Sequence, residues 1–303
     1  MPSHSALARL QQGLVAALFA GALAWLVARW NASVVVALAG FFAILFVHVF
    51  FLAVEFACIP LVSRGDPAPR PSLAQLAHAW LGEAVMSTRV FGWRQPFRWR
   101  AVPDRLASPS VPARRGVVFV HGFVCNRGFW TPWMHALSVQ QRSFVAVNLE
   151  PVFGRIDSYV PIIEAAVHRV RDASGLAPVL VCHSMGGLAA RAWLRATVDP
   201  LAVHHVVTIG SPHHGTWLAR YSRMLNGIQM RRQGEWLGKL APSEARTGYG
   251  RFTCWYSNCD NIVLPPSTAT LEGADNRLVE GVAHVDLAFH PRVMAETLAL
   301  LEH

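Results

Sequence analysis

Val179-Leu180-Val181-Cys182-His183-Ser184-Met185-Gly186-Gly187 begins as an apolar strand and closes in a small-residue turn with a serine at its apex. The next residues, Leu188-Ala189-Ala190-Arg191-Ala192-Trp193-Leu194, have the composition of a helix. A strand, a sharp turn carrying serine and a helix form the context that a nucleophile elbow requires. Such a turn strains the Ser184 backbone, pushes its Oγ above the sheet and aims the Met185 amide at a carbonyl under attack. Gly186 and Gly187 lack a Cβ, which lets the helix pack close to the strand it leaves. The usual pentapeptide is G-x-S-x-G, and here Cys182 occupies the first glycine position. Cysteine is small and packs well when buried, so the turn survives and Cys182 points into the packing.

The partners of such a serine follow it in the order Ser, Asp, His. Phe252-Thr253-Cys254-Trp255-Tyr256-Ser257 reads as a strand and leads to Asp260, the only carboxylate between Glu244 and Glu272. His284 follows a short strand in Leu278-Val279-Glu280-Gly281-Val282-Ala283-His284, where a loop lets its ring reach across. His290, the rival, precedes Pro291 and starts the C-terminal helix. In this arrangement His284 takes and returns the Ser184 proton, and Asp260 sets the imidazole tautomer. Upstream, Gly116-Val117-Val118-Phe119-Val120 is a buried strand ending in His121-Gly122-Phe123. Hydrolases of this kind place a second oxyanion donor at such an H-G pair, on the residue after the glycine, here Phe123 beside Met185.

H-G-F at 121–123, C-H-S-M-G-G at 182–187, G-S-P-H-H-G-T at 210–216 and the Asp260 and His284 segments together resemble the bacterial lipase/esterase branch of the α/β-hydrolases. The resemblance covers about residues 90–303 and implies carboxylic ester hydrolysis through an acyl-enzyme, on lipid or acyl-ester substrates, with no cofactor. Some members carry a structural calcium on an aspartate two residues after the histidine, where Asp286 stands. The partner aspartate has no counterpart, since no Asp lies between Asp199 and Asp260, so no metal is expected and Asp286 reads as a surface or loop-capping residue. His121, His183, His213 and His214 are candidates for lining the substrate pocket. His213 and His214 point in opposite directions along an extended loop and suit the site's rim better than a metal.

The first quarter of the chain is a different material. Leu10–Ala28 is 19 residues without a charge, and Trp30–Val54 is 25 residues diluted only by His48. Each is long enough to cross about 30 Å of hydrocarbon as a helix. The short link Arg29-Trp30-Asn31-Ala32-Ser33 requires an antiparallel hairpin, and a second, longer stretch after Arg29 argues against a cleaved signal. Basic residues cluster outside the pair, with Arg9 before it and Arg64, Arg70, Arg89, Arg94, Arg98 and Arg100 after it. By the positive-inside rule both ends then lie on the cytoplasmic face of a bacterial inner membrane. Five unpatterned cysteines suit a reducing compartment.

Net charge is +9, almost entirely from arginine, since Lys239 is the single lysine. The basic run at 89–115 is interleaved with Trp93, Pro96, Phe97 and Trp99 beside the anchor, which favours membrane lipids over nucleic acid as the partner. The expected organisation is a transmembrane helical hairpin at 1–59, then a proline-rich linker and amphipathic helix at 60–90. An α/β-hydrolase domain follows at 91–303, a mostly parallel sheet with helices on both faces. The helix at 73–88 carries Leu73, Leu76, Ala77, Trp80, Leu81 and Val85 on one stripe. Strands are expected at about 91–100, 117–121, 143–149, 179–183, 204–210, 252–257 and 278–282, and helices near 157–173, 185–197 and 291–302. The apolar insertion 216–250 reads as a cap over the site or as two peripheral helices. An acyltransferase or thioesterase would use the same three residues, and an inactive scaffold would have no use for them.

Overall fold

A strand buried on both faces is a continuous apolar run, and Val117–Val120 and Val179–His183 are both of that kind. The computed structural model, which describes residues 4–107, 113–244 and 248–302, sets them side by side at the centre of a sheet. The strands are β1 (Val117–Val120), β2 (Phe144–Ala146), β3 (Val179–His183), β4 (His205–Ile209), β5 (Phe252–Tyr256) and β6 (Asp275–Leu278). They run in the order β2-β1-β3-β4-β5-β6, and every neighbouring pair is parallel.

The helices are α1 (Ala6–Trp30), α2 (Val34–Leu45), α3 (Val47–Val62), α4 (Leu73–Arg89), α5 (Gln95–Phe97) and α6 (Thr131–Val139). Then come α7 (Val160–Ser174), α8 (Met185–Ala196), α9 (Leu225–Gln229), α10 (Glu235–Glu244), α11 (His284–Leu287) and α12 (Pro291–Ala299). Alternate residues of β1 face opposite cores. Val118 and Val120 pack with α7 and α8, whereas Val117 and Phe119 pack with α6 and α12.

Several elements differ from the sequence reading, each for a physical reason. The aromatic run at 91–100 is not a strand. Helix α4 continues through a π-turn at Val90–Arg94, where Gln95 N donates to Val90 O, and then into α5. Pro96, with no N–H to give an ordinary helical bond, sits just after this widened turn. Strand β6 begins earlier than the apolar run at 278–282, because an edge strand needs no apolar alternation and its first residues are exposed. Val279 and Val282 instead turn into the core beyond the strand. The buried face of α4 carries Ala79, Glu83 and Ser87, while Leu73, Leu81 and Val85 point outward.

The N-terminal helices also depart from two plain spans. Helix α1 runs unbroken for 25 residues, but the second stretch bends by 59° between α2 and α3. The bend is held from outside. The Trp80 indole on α4 donates to Val49 O at 3.1 Å, and His48 meets Thr88 at 2.9 Å. Beyond it, Phe56 and Ile59 bury against Ala79, Cys259, Leu264 and Ala283. The other end of the pair is also docked. Ala6 N donates to Glu150 Oε1 at 2.9 Å, and Gln11 meets buried Gln95, whose Oε1 also accepts from Asn126 N. The turn at 31–33 therefore lies far along both helices from the points where the pair joins the body.

Arg127 closes the loop after β1. Fully buried, its guanidinium reaches Ala146 O, Trp99 O and Val102 O and pairs with Asp104 at 2.7 Å. Removing one member of such a pair leaves a charge stranded in the core. We predict that Asp104→Ala lowers stability by about 3–5 kcal/mol in denaturant titration. A loss below about 1 kcal/mol, the worth of an exposed ion pair, would mean that the guanidinium is solvated instead.

Candidate active site

Ser184 occupies the junction of β3 and α8 with φ 53° and ψ −129°, a conformation that L-residues rarely adopt. Its N–H donates to Ile209 O at 2.9 Å, which ties the turn to the end of β4. A Cβ on Gly186 would stand 2.4 Å from Val120 O, so only glycine allows α8 to leave the strand at this angle. A Cβ on Gly122 would meet the Ser184 Cβ at 2.8 Å, so the turn after β1 is in direct contact with the serine. Val124 in that turn is the other strained residue facing the same space, with φ 54°. Met185 begins α8, so its N–H belongs to the unpaired first turn of the helix.

Asp260 is buried at the end of β5. Its Oδ1 accepts from Ile262 N at 2.9 Å and Val263 N at 2.7 Å, and its Oδ2 accepts from His284 Nδ1 at 2.9 Å. Because a carboxylate only accepts, the bond fixes the proton on Nδ1 and leaves Nε2 as the free ring nitrogen. Burial disfavours a charged imidazole, but the charge and hydrogen bond of Asp260, helped by Glu83 and Glu55, outweigh it and raise His284 above its ordinary pKa. Glu83 is pushed up to about 7 by burial, against the pull of His284 and of the Val285 and Asp286 N–H groups. Burial pushes the Cys182 thiol well up, which keeps it an inert packing group.

Ser184, His284, His183 and Phe123 all line one cavity of about 990 Å³. Its other walls come from the N-terminal helices: Val15, Leu18 and Phe19 of α1, Phe46 and Phe51 at the bend, and Phe91 and Trp93 of the π-turn. Among the described residues none of its lining belongs to 216–250. From that insertion Ala219, Met230, Leu237 and Leu240 join the core against α7 and α8, and Trp217 packs on the cluster of Phe56 and Ile59. The roof is thus built from the segment that the sequence reads as an anchor.

Of the four pocket histidines expected from sequence, His183 lies in the cavity wall, its ring 4.6 Å from that of His284 and its Nε2 3.1 Å from His284 O. His121 is buried and lies outside the cavity lining, with Nε2 accepting from Leu149 N at 3.0 Å. His213 is buried against Thr208, and His214 joins the Thr268 loop through its backbone, so neither forms the rim. His284 begins α11 rather than sitting in a loop, so a helix start does let the ring reach the aspartate. Asp286 is half-buried against α4, where a Cβ on Gly82 would stand 2.9 Å from its Oδ2. Among the described residues no group of three or more His, Cys, Asp or Glu is disposed to hold a metal.

Sequence reasoning missed Glu55, Glu83, Asn261 and Gly210. The signal that could have found Glu55 is its place as the first charge after 25 uncharged residues, and Glu83 proves to be a charge on the inward face of α4. Gly210 was visible only as the first residue of G-S-P-H-H-G-T. It has φ 55°, and a Cβ there would lie 3.0 Å from Asp260 Oδ2 and 3.1 Å from His284 Nδ1.

A parallel sheet with a strained serine at a strand-to-helix turn, and a buried Asp–His pair beyond later strands, defines an α/β-hydrolase architecture. Residues 117–297 match the alpha/beta hydrolase family, and the chain belongs to that family. The fold is similar to that of Bacillus licheniformis lipase BlEst2 in mature form, with TM-score 0.56 and 17% identity, over 65% of this chain and 96% of that one. It is also similar to that of Aspergillus fumigatus lipase B, with TM-score 0.59 and 16% identity, over 100% of this chain and 83% of that one. No curated protein matches the chain.

Gly210→Ala adds a methyl group against the Asp260–His284 bond at a φ that alanine resists. We expect esterase activity to fall by two or more orders of magnitude, about 3 kcal/mol of barrier, with near-native circular dichroism. Activity within threefold of wild type would show that the pair tolerates displacement.

Proposed function

We propose that this protein is a membrane-anchored serine hydrolase that cleaves carboxylic esters with sizeable acyl groups, using Ser184, His284 and Asp260. The observation that carries the reading is the shared cavity: Ser184 and His284 form its floor and apolar side chains of the N-terminal helices form its walls. Ser184 Oγ attacks the ester carbonyl while His284 Nε2 takes its proton. The N–H groups of Phe123 and Met185 stabilise the tetrahedral oxyanion, each worth about 3–4 kcal/mol when such a donor is lost. His284 then gives the proton to the departing alkoxide, and a water activated by the same ring hydrolyses the acyl-enzyme.

An apolar cavity at the top of the range of about 300–1,000 Å³ typical of ligand pockets suits an acyl chain better than an acetyl group. Membrane attachment is supported by the outer faces of the same helices. Only 11% of the most apolar stretch of α1 is buried, and Val35 and Phe50 are 76% and 69% exposed. A core helix of a soluble protein would be covered. Leu73, Leu81 and Trp93 add an exposed apolar strip beside arginines 89 to 100, suited to an anionic headgroup layer. Both ends of the α1–α3 unit dock on the hydrolase body, which suits a domain lying on one side of the bilayer, the cytoplasmic side by the distribution of basic residues.

Two measurements test this reading together. Ser184→Ala should abolish turnover of p-nitrophenyl esters in a folded protein, and wild type should prefer octanoate to acetate in kcat/KM. Residual activity above a tenth of wild type would move the nucleophile elsewhere, and a preference for acetate would remove the acyl-chain assignment.

A further inference from the structure

Helix α11 opens on Ala283, whose side chain cannot cap it, yet the first N–H groups of the helix are all met. His284 N donates to Asn261 Oδ1 at 3.2 Å. Val285 N donates to Glu83 Oε1 and Oε2 at 3.1 and 3.0 Å, and Asp286 N to Glu83 Oε2 at 3.2 Å. Asn261 is itself oriented, since its Nδ2 donates to Glu55 Oε2 at 2.7 Å. A carboxylate accepts only, so Glu55 holds the amide nitrogen toward α3 and turns the amide oxygen to His284 N. Glu83 on α4 thus holds the N–H groups of Val285 and Asp286, Glu55 on α3 reaches His284 N through Asn261, and Asp260 holds the His284 ring. Both glutamates precede residues 117–297, the part of the chain matched by its family.

We infer that Glu83 and Glu55 are positioning residues for His284, so that the N-terminal helices complete the active site as well as tethering it. The inference rests on the proposed role of His284 as the proton carrier for Ser184. A cap of purely structural value would hold α11 whatever its charge. A cap that positions the reacting ring alters turnover more than substrate binding and alters the titration of the ring. The charged or titratable groups facing His284 are Asp260, Glu55, Glu83 and the neighbouring ring of His183.

The test uses the full-length protein in detergent micelles with p-nitrophenyl butyrate and a fluorophosphonate probe. Glu83→Ala should lower kcat about 10- to 100-fold, the range typical of lost supporting-shell partners. Its KM should stay within about twofold, since little uniform binding is removed. Glu83→Gln keeps a carbonyl acceptor and should recover most of kcat. The base must be neutral, and a nearby carboxylate favours the charged ring, so the acid limb of wild-type kcat/KM should lie above the usual imidazole value. Glu83, pushed up to about 7, carries part of its charge through that limb, so Glu83→Gln should move the limb to lower pH, and Glu55→Gln should move it the same way. Wild-type kcat in Glu83→Ala, or an unmoved acid limb in both Gln variants, would overturn the inference. Should Glu83→Ala fail to fold, the two Gln variants decide the question. Wild type that does not take the probe on Ser184 would refute the proposed function itself. Wild type and Glu83→Ala labelled at equal rates would refute this inference alone.

Discussion

The buried contact between Asp260 and His284 is the constraint around which this end of the sheet is arranged. A carboxylate in the protein interior must be fully hydrogen-bonded, and Asp260 reaches that state with Ile262 N, Val263 N and His284 Nδ1. Each bond restricts the chain further. The turn at 260–263 must fold back on its own aspartate, which carries Asn261 to the His284 amide. Position 210, at the end of β4, must be glycine, because any side chain would intrude on the pair. The neutral imidazole that results is held in one tautomer, and the charge and hydrogen bond of Asp260 raise its pKa above the ordinary value despite burial.

Much of this was legible in the sequence, because the central strands carry their own signal. Val179–His183 and Val117–Val120 are apolar runs bounded by glycine-rich turns, and strand, turn and helix there match the reading almost to the residue. Asp260 was accessible by scarcity of carboxylates, and His284 by its position after a strand. Edges were less legible. β6 is exposed along its first residues, and nothing in Asp275-Asn276-Arg277 announces a strand that exists only because β5 offers it a partner. The aromatic composition of 91–100 pointed to a strand, while Pro96 and the continuation of α4 impose a π-turn.

Composition alone left open whether 216–250 caps the site or packs as peripheral helices. Ala219, Met230, Leu237 and Leu240 of that segment fill the core beside α7 and α8, while Tyr221, Met224, Leu225 and Ile228 stay exposed. Hydrophobicity alone cannot distinguish a helix that faces lipid from one that faces a cavity, since both demand the same side chains. In α1 and α3 outward residues are exposed, while inward ones such as Leu18 and Leu52 line the cavity that Ser184 also lines. Glu55, which ends the apolar pattern in α3, bonds Asn261 beside His284 and is the local evidence that this helix meets a polar site. In the proposed reaction an acyl chain held between the anchor helices and the elbow would pass from bilayer to active site without crossing water, which fits a domain kept at high effective concentration near its substrate.

The claim that the N-terminal helices form the acyl pocket of Ser184 is tested most directly with a long-chain alkyl fluorophosphonate carrying a diazirine at the chain end. After reaction and irradiation, peptide mapping should find phosphorus on Ser184 and the photo-cross-link on residues 15–19 or 45–52. Cross-links confined to 216–250, or an adduct on a residue other than Ser184, would contradict the account.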